Sequence, residues 1–247
     1  METALVISDL HYPFIHKPSV EIAKKVCKDV KPNHVVYGGD CFDAEGISRF
    51  SEKTVDKGIE DTIKEIAGFK KLHEEFVKLA PKAQFYWCGG NHDTQRIDKL
   101  LKKLEDKEQY SKLRDCEYQF DLKRIFPDVK ICGYNEFHKI GKIKFTHGEY
   151  CNDAAAKKHA TAWSGNVVFF HTHTLQQYTL RQQGDYPSQA ITMGCMCTHK
   201  PDYMNNKSHG WIHCLGVVYF QPNGAFNLYP IQIHSKKAIF NGKLYEV

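Results

Sequence analysis

No stretch of the chain is apolar for the roughly 20 residues that a membrane-spanning helix needs, so none is expected. The opening METALVISDLHYP holds a short apolar run, but Asp9 and His11 break it too early for a secretory signal. There is no basic block either. The 34 Lys and Arg are mixed with 29 Asp and Glu, and the formal net charge of +5 is too mild to mark a nucleic-acid binder by itself. It is compatible with an anionic substrate. The nine cysteines are odd in number and irregularly spaced; no zinc-finger pairing appears, and Cys195 and Cys197 form a lone C-x-C, too little for a metal site. At this length a disulfide framework is not expected, and a reducing cytoplasm is. Internal repeats, low-complexity segments and linkers are also missing, so residues 1–247 are expected to form a single domain.

What is present is an alternation of short apolar runs with helical patterns. ALVIS (Ala4–Ser8), HVVYGGD and AQFYWCGG read as strands buried on both faces. Between them, Ser19 to Val30 has helical spacing, with Ser19 as N-cap and Pro32 closing it; Asp56 to Leu79 is a long amphipathic helix. This order predicts an α/β fold whose sheet is parallel at its centre. Residues 94–128 are helical and heavily charged, and are expected as an insertion beside the loop of the third strand. From Val129 onward strands dominate, with a hairpin at Gly141 and a short helix over Asn152–Trp163, so a strand-rich layer should pack on the first.

Each apolar run ends in residues that bind metals. The first gives Asp9 and His11, the second Asp40 and Asp43 after Gly-Gly, the third Asn91, His92 and Asp93 after another Gly-Gly. FTHGE adds His147, and FFHTH adds His171 and His173. In extended chain, alternate residues share a face, so Asp9 with His11 can grip one ion, and His171 with His173 are likewise expected on one face. The carboxyl ends of strands in an open α/β sheet form its ligand crevice. Five strand ends would therefore bring carboxylates, an amide and imidazoles together. The glycines permit the sharp turns, and the Asn91–His92–Asp93 triplet is expected to aim at the site. Oxygen and nitrogen donors without thiolates suit Mn, Fe or Zn. Asp40 has two oxygens and could bridge two ions; two ions roughly 3.5–4 Å apart serve in-line displacement at phosphorus.

The motifs DLH, GGDCFD, GGNHD, THGE and HTH, in this order, resemble the calcineurin-like metallophosphoesterase superfamily over Asp9 to His173. The resemblance implies a two-sheet α/β/β/α sandwich holding two divalent ions, with Mn first among them. One ion would be held by Asp9, His11, Asp40 and His173, the other by Asp40, Asn91, His147 and His171. It implies that His92 contacts the phosphoryl group and protonates the leaving group, and that Asp43 hydrogen-bonds His92. The implied reaction is hydrolysis of a phosphomonoester or phosphodiester by in-line attack of metal-bound hydroxide. Two positions depart from the pattern. Phe170 stands where the family has glycine, and Ala44 stands where its protein serine/threonine phosphatases have arginine, which argues against that branch. ITMGCMC and SHGWIHCLGVVYF loosely resemble phosphoesterases encoded by bacteriophages.

Arg96, after GGNHD, reads either as a surface salt bridge or as a bidentate phosphate contact; Arg49 has a weaker case of the same kind. His34, His73, His138 and His234 are assigned no role, and His159 is expected to face solvent. The Lys-rich helices read as a solvated face. Two other functions share the fold: a nuclease of the double-strand-break-repair type, acting on nucleic acid, and a non-catalytic interaction module. The expected partner is a phosphate-ester substrate, with nucleotides and nucleic acids among the candidates.

Overall fold

The structure, a computed structural model, describes residues 1–181, 188–199 and 210–247. In its first half β1 (Glu2–Ile7), α1 (Lys17–Val30), β2 (His34–Tyr37), α2 (Val55–Leu79) and β3 (Gln84–Cys88) alternate as the pattern predicts. Next come α3 (Thr94–Asp106), α4 (Tyr110–Gln119), α5 (Leu122–Ile125) and β4 (Val129–Cys132). The second half holds β5 (His138–Ile140), β6 (Ile143–Thr146), α6 (Ala155–Ala162), β7 (Asn166–Phe169), β8 (Gln176–Thr179) and β9 (Gln189–Thr192). It continues with β10 (Cys214–Phe220), β11 (Phe226–Gln232), and a hairpin of β12 (Lys237–Phe240) and β13 (Lys243–Glu246). Ser208 and His209 of the SHGWIHCLGVVYF motif lie outside the described residues.

Two sheets form. The first has the order β11-β10-β1-β2-β3-β4, with β1 to β4 parallel; the second has the order β5-β6-β7-β9-β8, with β6, β7 and β9 parallel. Register keeps the carboxyl ends level: Ile7 pairs with Tyr37 and Tyr37 with Trp87, while Thr146 pairs with Phe169 and Phe169 with Thr192. The period-2 alternation of β1 sorts its side chains between two cores. Leu5 and Ile7 face a cluster with Val26, Phe69, Phe76 and Trp87 on the helical side. Ala4 and Val6 face the second sheet, with Val36, Phe145, Val168 and Met193. α6 covers the far face of the second sheet through Ala156 and Ala160 against Val167 and Phe169. The layers are therefore α/β/β/α. No helix among the described residues is long and apolar enough to cross a membrane.

Three local expectations change. α1 starts earlier than Ser19: His16 is its N-cap and Pro18 sits in its first turn, where a missing N–H costs nothing. Ser19 is inside the helix, its hydroxyl 2.7 Å from His16 Nδ1. The charged helices of residues 94–128 form the crossover between β3 and β4, parallel neighbours in one sheet, and so continue the strand rhythm. Phe170, at the family's glycine position, is fully buried between the sheets. Gly38 makes the room: a Cβ there would stand 2.5 Å from the Phe170 ring.

Candidate metal centre

The strands stop before the chemistry begins. β1 ends at Ile7 and β7 at Phe169, so neither Asp9–His11 nor His171–His173 is extended chain. Asp9, His11, Asp40, His171 and His173 all have positive φ, between 47° and 72°. The expected mechanism of convergence, alternation along a strand, is thus replaced by a series of left-handed residues. Asp and His are among the side chains that tolerate this region, yet each instance costs roughly 1–3 kcal/mol and persists only where its surroundings enforce it. Here the enforcement is backbone hydrogen bonding between the loops after β1 and β2. Asp9 N donates to Gly39 O (3.2 Å), His11 N to Asp40 O (2.8 Å), Tyr12 N to Cys41 O (3.1 Å) and Asp43 N to Tyr12 O (3.0 Å). Gly39, at φ +96°, lets the His147 ring close in; a Cβ there would meet Nδ1 at 2.5 Å.

Asp40 is the centre of the cluster. Its Oδ2 lies 3.6 Å from His11 Nε2 and 3.2 Å from His147 Nε2. On one side, His11 Nε2 is 3.3 Å from His173 Nε2, which is 3.2 Å from Asp9 Oδ1. On the other, His147 Nε2 is 2.9 Å from Asn91 Oδ1, and His171 joins Asp40 and His147 in a group whose donor atoms lie within 4.8 Å of one another. The structure therefore brings all seven predicted ligand residues together, in two sets that share Asp40.

These residues fit a divalent ion on three observations. Asp9 Oδ1 is buried and accepts no hydrogen bond of good geometry, its near neighbour being His173 Nε2 at 3.2 Å; a buried carboxylate oxygen is costly unless a cation, such as a protonated imidazole or a metal ion, faces it. Donors about 2.0–2.2 Å from one ion stand about 3–3.6 Å apart, which matches the separations around Asp40. The ring tautomers are also set. His147 Nδ1 faces Gly38 O at 2.8 Å and His11 Nδ1 faces Asp43 Oδ1 at 2.8 Å, so each Nδ1–H donates outward and each Nε2 lone pair faces the cluster.

Charge within the cluster is mutually compensated. Burial alone would push the Asp40 carboxyl up, but the His147 and His92 charges hold it well below the usual range. Burial would lower His147, yet Asp40 outweighs it and raises the ring to about 9. His173 is raised to about 10, Asp9 overcoming burial, whereas burial and the His147 charge drop His171 to about 4. An ion held here would have to take the place of protons on His147 and His173.

Asp43 and His92 stand at the rim. Asp43 Oδ1 accepts from both His11 Nδ1 (2.8 Å) and His92 Nδ1 (2.9 Å). Burial pushes its carboxyl up, but the two histidine hydrogen bonds prevail and hold it below its ordinary value. His92 is anchored through its backbone, its N–H donating to Asp40 Oδ1 at 2.8 Å. Arg96 is no surface salt bridge. It is largely buried in the first turn of α3, its Nη1 donates to Asp43 O, and its Nη2 is 3.5 Å from His92 Nε2.

Asp93 breaks the expected triplet. It is fully buried and turned away from Asp40, accepting from Cys41 N (3.0 Å), Trp87 Nε1 (3.0 Å), Gly90 N (2.6 Å) and Thr94 N (2.5 Å). It caps α3 and ties the loops together. His159 is likewise buried, stacked on Phe169 at 3.8 Å with Nδ1 2.9 Å from Ala155 O. Two residues were missed from the sequence. Cys197 Sγ lies 3.9 Å from His173 Nδ1, behind the ring, and groups with His11 and His173. The C-x-C spacing alone does not signal it; β9 is parallel to β7, so its following segment also reaches this end of the sheet. The second is Glu65 on α2, whose Oε2 accepts from Ala44 N at 2.6 Å.

The comparisons with known proteins agree with this geometry. The family model for calcineurin-like phosphoesterases matches residues 3–213. The chain belongs to that family. No curated protein sequence matches it. Among solved structures it resembles Vacuolar Protein Sorting 29 from Cryptosporidium parvum, at 14% identity and TM-score 0.55, covering 100% of this chain and 98% of that one. It also resembles Vps29 from Chaetomium thermophilum, at 11% identity and TM-score 0.51, covering 95% and 93%. Yfce, a phosphoesterase from E. coli, matches at 13% identity and TM-score 0.39 over 92% and 98%. At these identities the likeness concerns the fold alone. Family and donor cluster together support a metal-dependent phosphoesterase in general.

Proposed function

We propose that the protein hydrolyses a phosphate ester with two divalent ions that share Asp40. The observation that carries this reading is the arrangement around Asp40 Oδ2, which faces His11 on one side and His147 on the other, with Asp9 Oδ1 buried beside His173 and accepting no hydrogen bond. Asp9, His11, Asp40 and His173 would hold one ion, and Asp40, Asn91, His147 and His171 the other. Mn suits this oxygen and nitrogen set, as do Fe and Zn. When bound, the ions supply Lewis acidity, neutralising phosphoryl charge and activating water.

The chain's own residues do the rest. Asp43 fixes the proton on His92 Nδ1 and orients the ring, leaving Nε2 as the nitrogen that holds a proton for the leaving oxygen. Arg96, pinned to Asp43 O, places its guanidinium beside that nitrogen, where it can take a phosphoryl oxygen. The fold is shared with proteins named for vacuolar sorting, and an interaction module would have no use for His92 and Arg96 at the rim of an intact donor set.

The test is metal content beside turnover. Protein prepared with Mn²⁺ should hold about two ions per chain and hydrolyse an aryl phosphate ester. Asp40→Asn should lose both ions. His92→Ala should keep them and lose about 10²–10⁴-fold in rate on an alkyl ester, and less on an aryl ester, which needs little protonation. Full occupancy in Asp40→Asn would remove the bridging role, and equal losses on both esters would remove His92 as a proton donor.

A further inference from the structure

A groove of about 400 Å³ starts at Asn91 and runs between α3 and the turn of residues 46–55. No carboxylate lines it, whereas Arg49, Lys53, Arg96, Lys99 and Lys103 do. The groove lining is therefore basic, in a chain whose overall charge is mild. Among the described residues, only Lys53 and Arg96 of these five face a carboxylate, Asp61 and Asp43 respectively. Lys99 is held by the neutral amide of Gln95 at 2.7 Å. Arg96, Lys99 and Lys103 fall at i, i+3 and i+7, on one side of α3, and at 1.5 Å per residue they extend over about 10 Å. That is longer than a single phosphate group.

The opposite wall carries Phe50. Phe50 is 77% exposed and belongs to no core cluster among the described residues, so its ring is open to a ligand. The Arg49 guanidinium covers the ring at 4.5 Å from its centroid. An aromatic ring backed by a cation, beside a carboxylate-free basic track, is the combination that binds single-stranded nucleic acid without reading its sequence.

We propose that this groove carries single-stranded nucleic acid, with a base stacked on Phe50 and phosphates on Lys99 and Lys103, leading a phosphodiester to the centre at Asn91. The proposal rests on the phosphoesterase reading and names its substrate class. In the hydrolysis, one P–O bond forms to a water oxygen and the ester P–O bond breaks. The departing oxygen takes its proton from His92, which a proton of the water replaces. A nucleoside polyphosphate is the competing occupant; it would use the cations near Arg96 without needing the full track.

The experiment is fluorescence anisotropy with a labelled eight-nucleotide thymidine oligomer, between 50 and 200 mM salt. Two to four phosphate contacts predict a slope of log K on log salt of about −1.4 to −2.8. Lys99→Ala with Lys103→Ala should weaken binding at least about tenfold and flatten the slope by about 1.4, and the double Arg variant should restore both. Phe50→Ala should weaken binding about 5- to 100-fold and leave the slope unchanged. Lys157→Ala with Lys158→Ala on α6 is the control surface, and circular dichroism checks that each variant is folded. A slope near zero, unchanged binding in both groove variants, or ATP or an eight-base-pair duplex binding as tightly with the same slope, would overturn the proposal. Wild-type turnover of an aryl phosphate separates the two readings. Turnover without oligomer binding defeats the groove and leaves the phosphoesterase. Groove-dependent binding without turnover of any ester defeats the phosphoesterase and leaves the groove.

Discussion

Replacing Glu65 by Gln should stabilise the protein above neutral pH and do nothing useful in acid. Glu65 projects from α2 into the turn after Asp43, where Oε2 accepts from Ala44 N at 2.6 Å. Burial, chiefly, raises its carboxyl from the ordinary 4.5 to about 7; the Ala44 N–H opposes this and the nearby Asp43 charge adds to it. Between pH 4.5 and 7 the unfolded chain has released this proton while the folded protein still holds it. The unfolded state then binds fewer protons, so stability falls as pH rises through this window and is level above it. The loss is at most about 3.4 kcal/mol, from 1.36 kcal/mol for each of the roughly 2.5 pH units between the two values. Gln keeps a carbonyl oxygen for the Ala44 N–H and carries no charge. Urea unfolding of both proteins at pH 5, 6, 7 and 8.5, at equal m-value, isolates the difference, because every other titrating group is common to both. Glu65→Gln should match the wild type near pH 5 and exceed it by about 1–3 kcal/mol at pH 8.5. A difference that stays constant across the series would refute the reasoning, since the carboxyl would then titrate alike in both states.

Two further substitutions probe the loops around the centre. Asp43→Asn should lower both metal retention and turnover, because Asp43 Oδ1 holds His11 as well as His92; elemental analysis showing full metal beside slowed turnover would leave Asp43 serving His92 alone. Asp93→Ala should lower stability by at least about 3 kcal/mol, since it strands four buried N–H donors. A thermal midpoint near that of the wild type would show that the loops find other partners.

The strand ends were legible because an apolar run followed by Gly-Gly leaves the backbone little choice. Ile7, Tyr37 and Trp87 pair at one level, and the polar residues after them arrive at one edge. Which atoms then meet was less legible. A pair such as Asp9 and His11 converges in extended chain and also in left-handed turns, and the spacing is the same in both; only the backbone bonds to Gly39 and Asp40 distinguish them. Asp93 looks like its neighbours in sequence, but the Trp87 indole and three backbone N–H groups turn it inward. The crossover over α3 to α5 read as an interruption because β4 is short and half exposed, with only Val129 fully buried. Cys197 was hidden for a different reason. The C-x-C spacing is too sparse to signal a site, and the meaning comes from the parallel pairing of β9 with β7, a long-range fact.

The chain places its most demanding backbone and its most compensated charges in the same few residues, and one requirement accounts for both. Seven polar side chains are brought from five strand ends into one buried cluster, where charge acts more strongly than it does in water. Ordinary β-strand geometry cannot turn Asp9, His11, Asp40, His171 and His173 inward together, so each adopts positive φ. The loops after β1 and β2 then bind each other through backbone N–H groups, which removes the freedom to relax. The carboxylates of such a cluster would otherwise repel one another; Asp40 and Asp9 instead raise His147 and His173, so that protons on these rings balance them. Asp43 extends the same economy outward. A single oxygen, Oδ1, orients a ring inside the donor set and a ring at its rim, 4.5 Å apart between centroids. Any movement of the His11 ring is thereby felt at His92, so under the proposed function the ring at the rim would be correctly set only when the one beside it is.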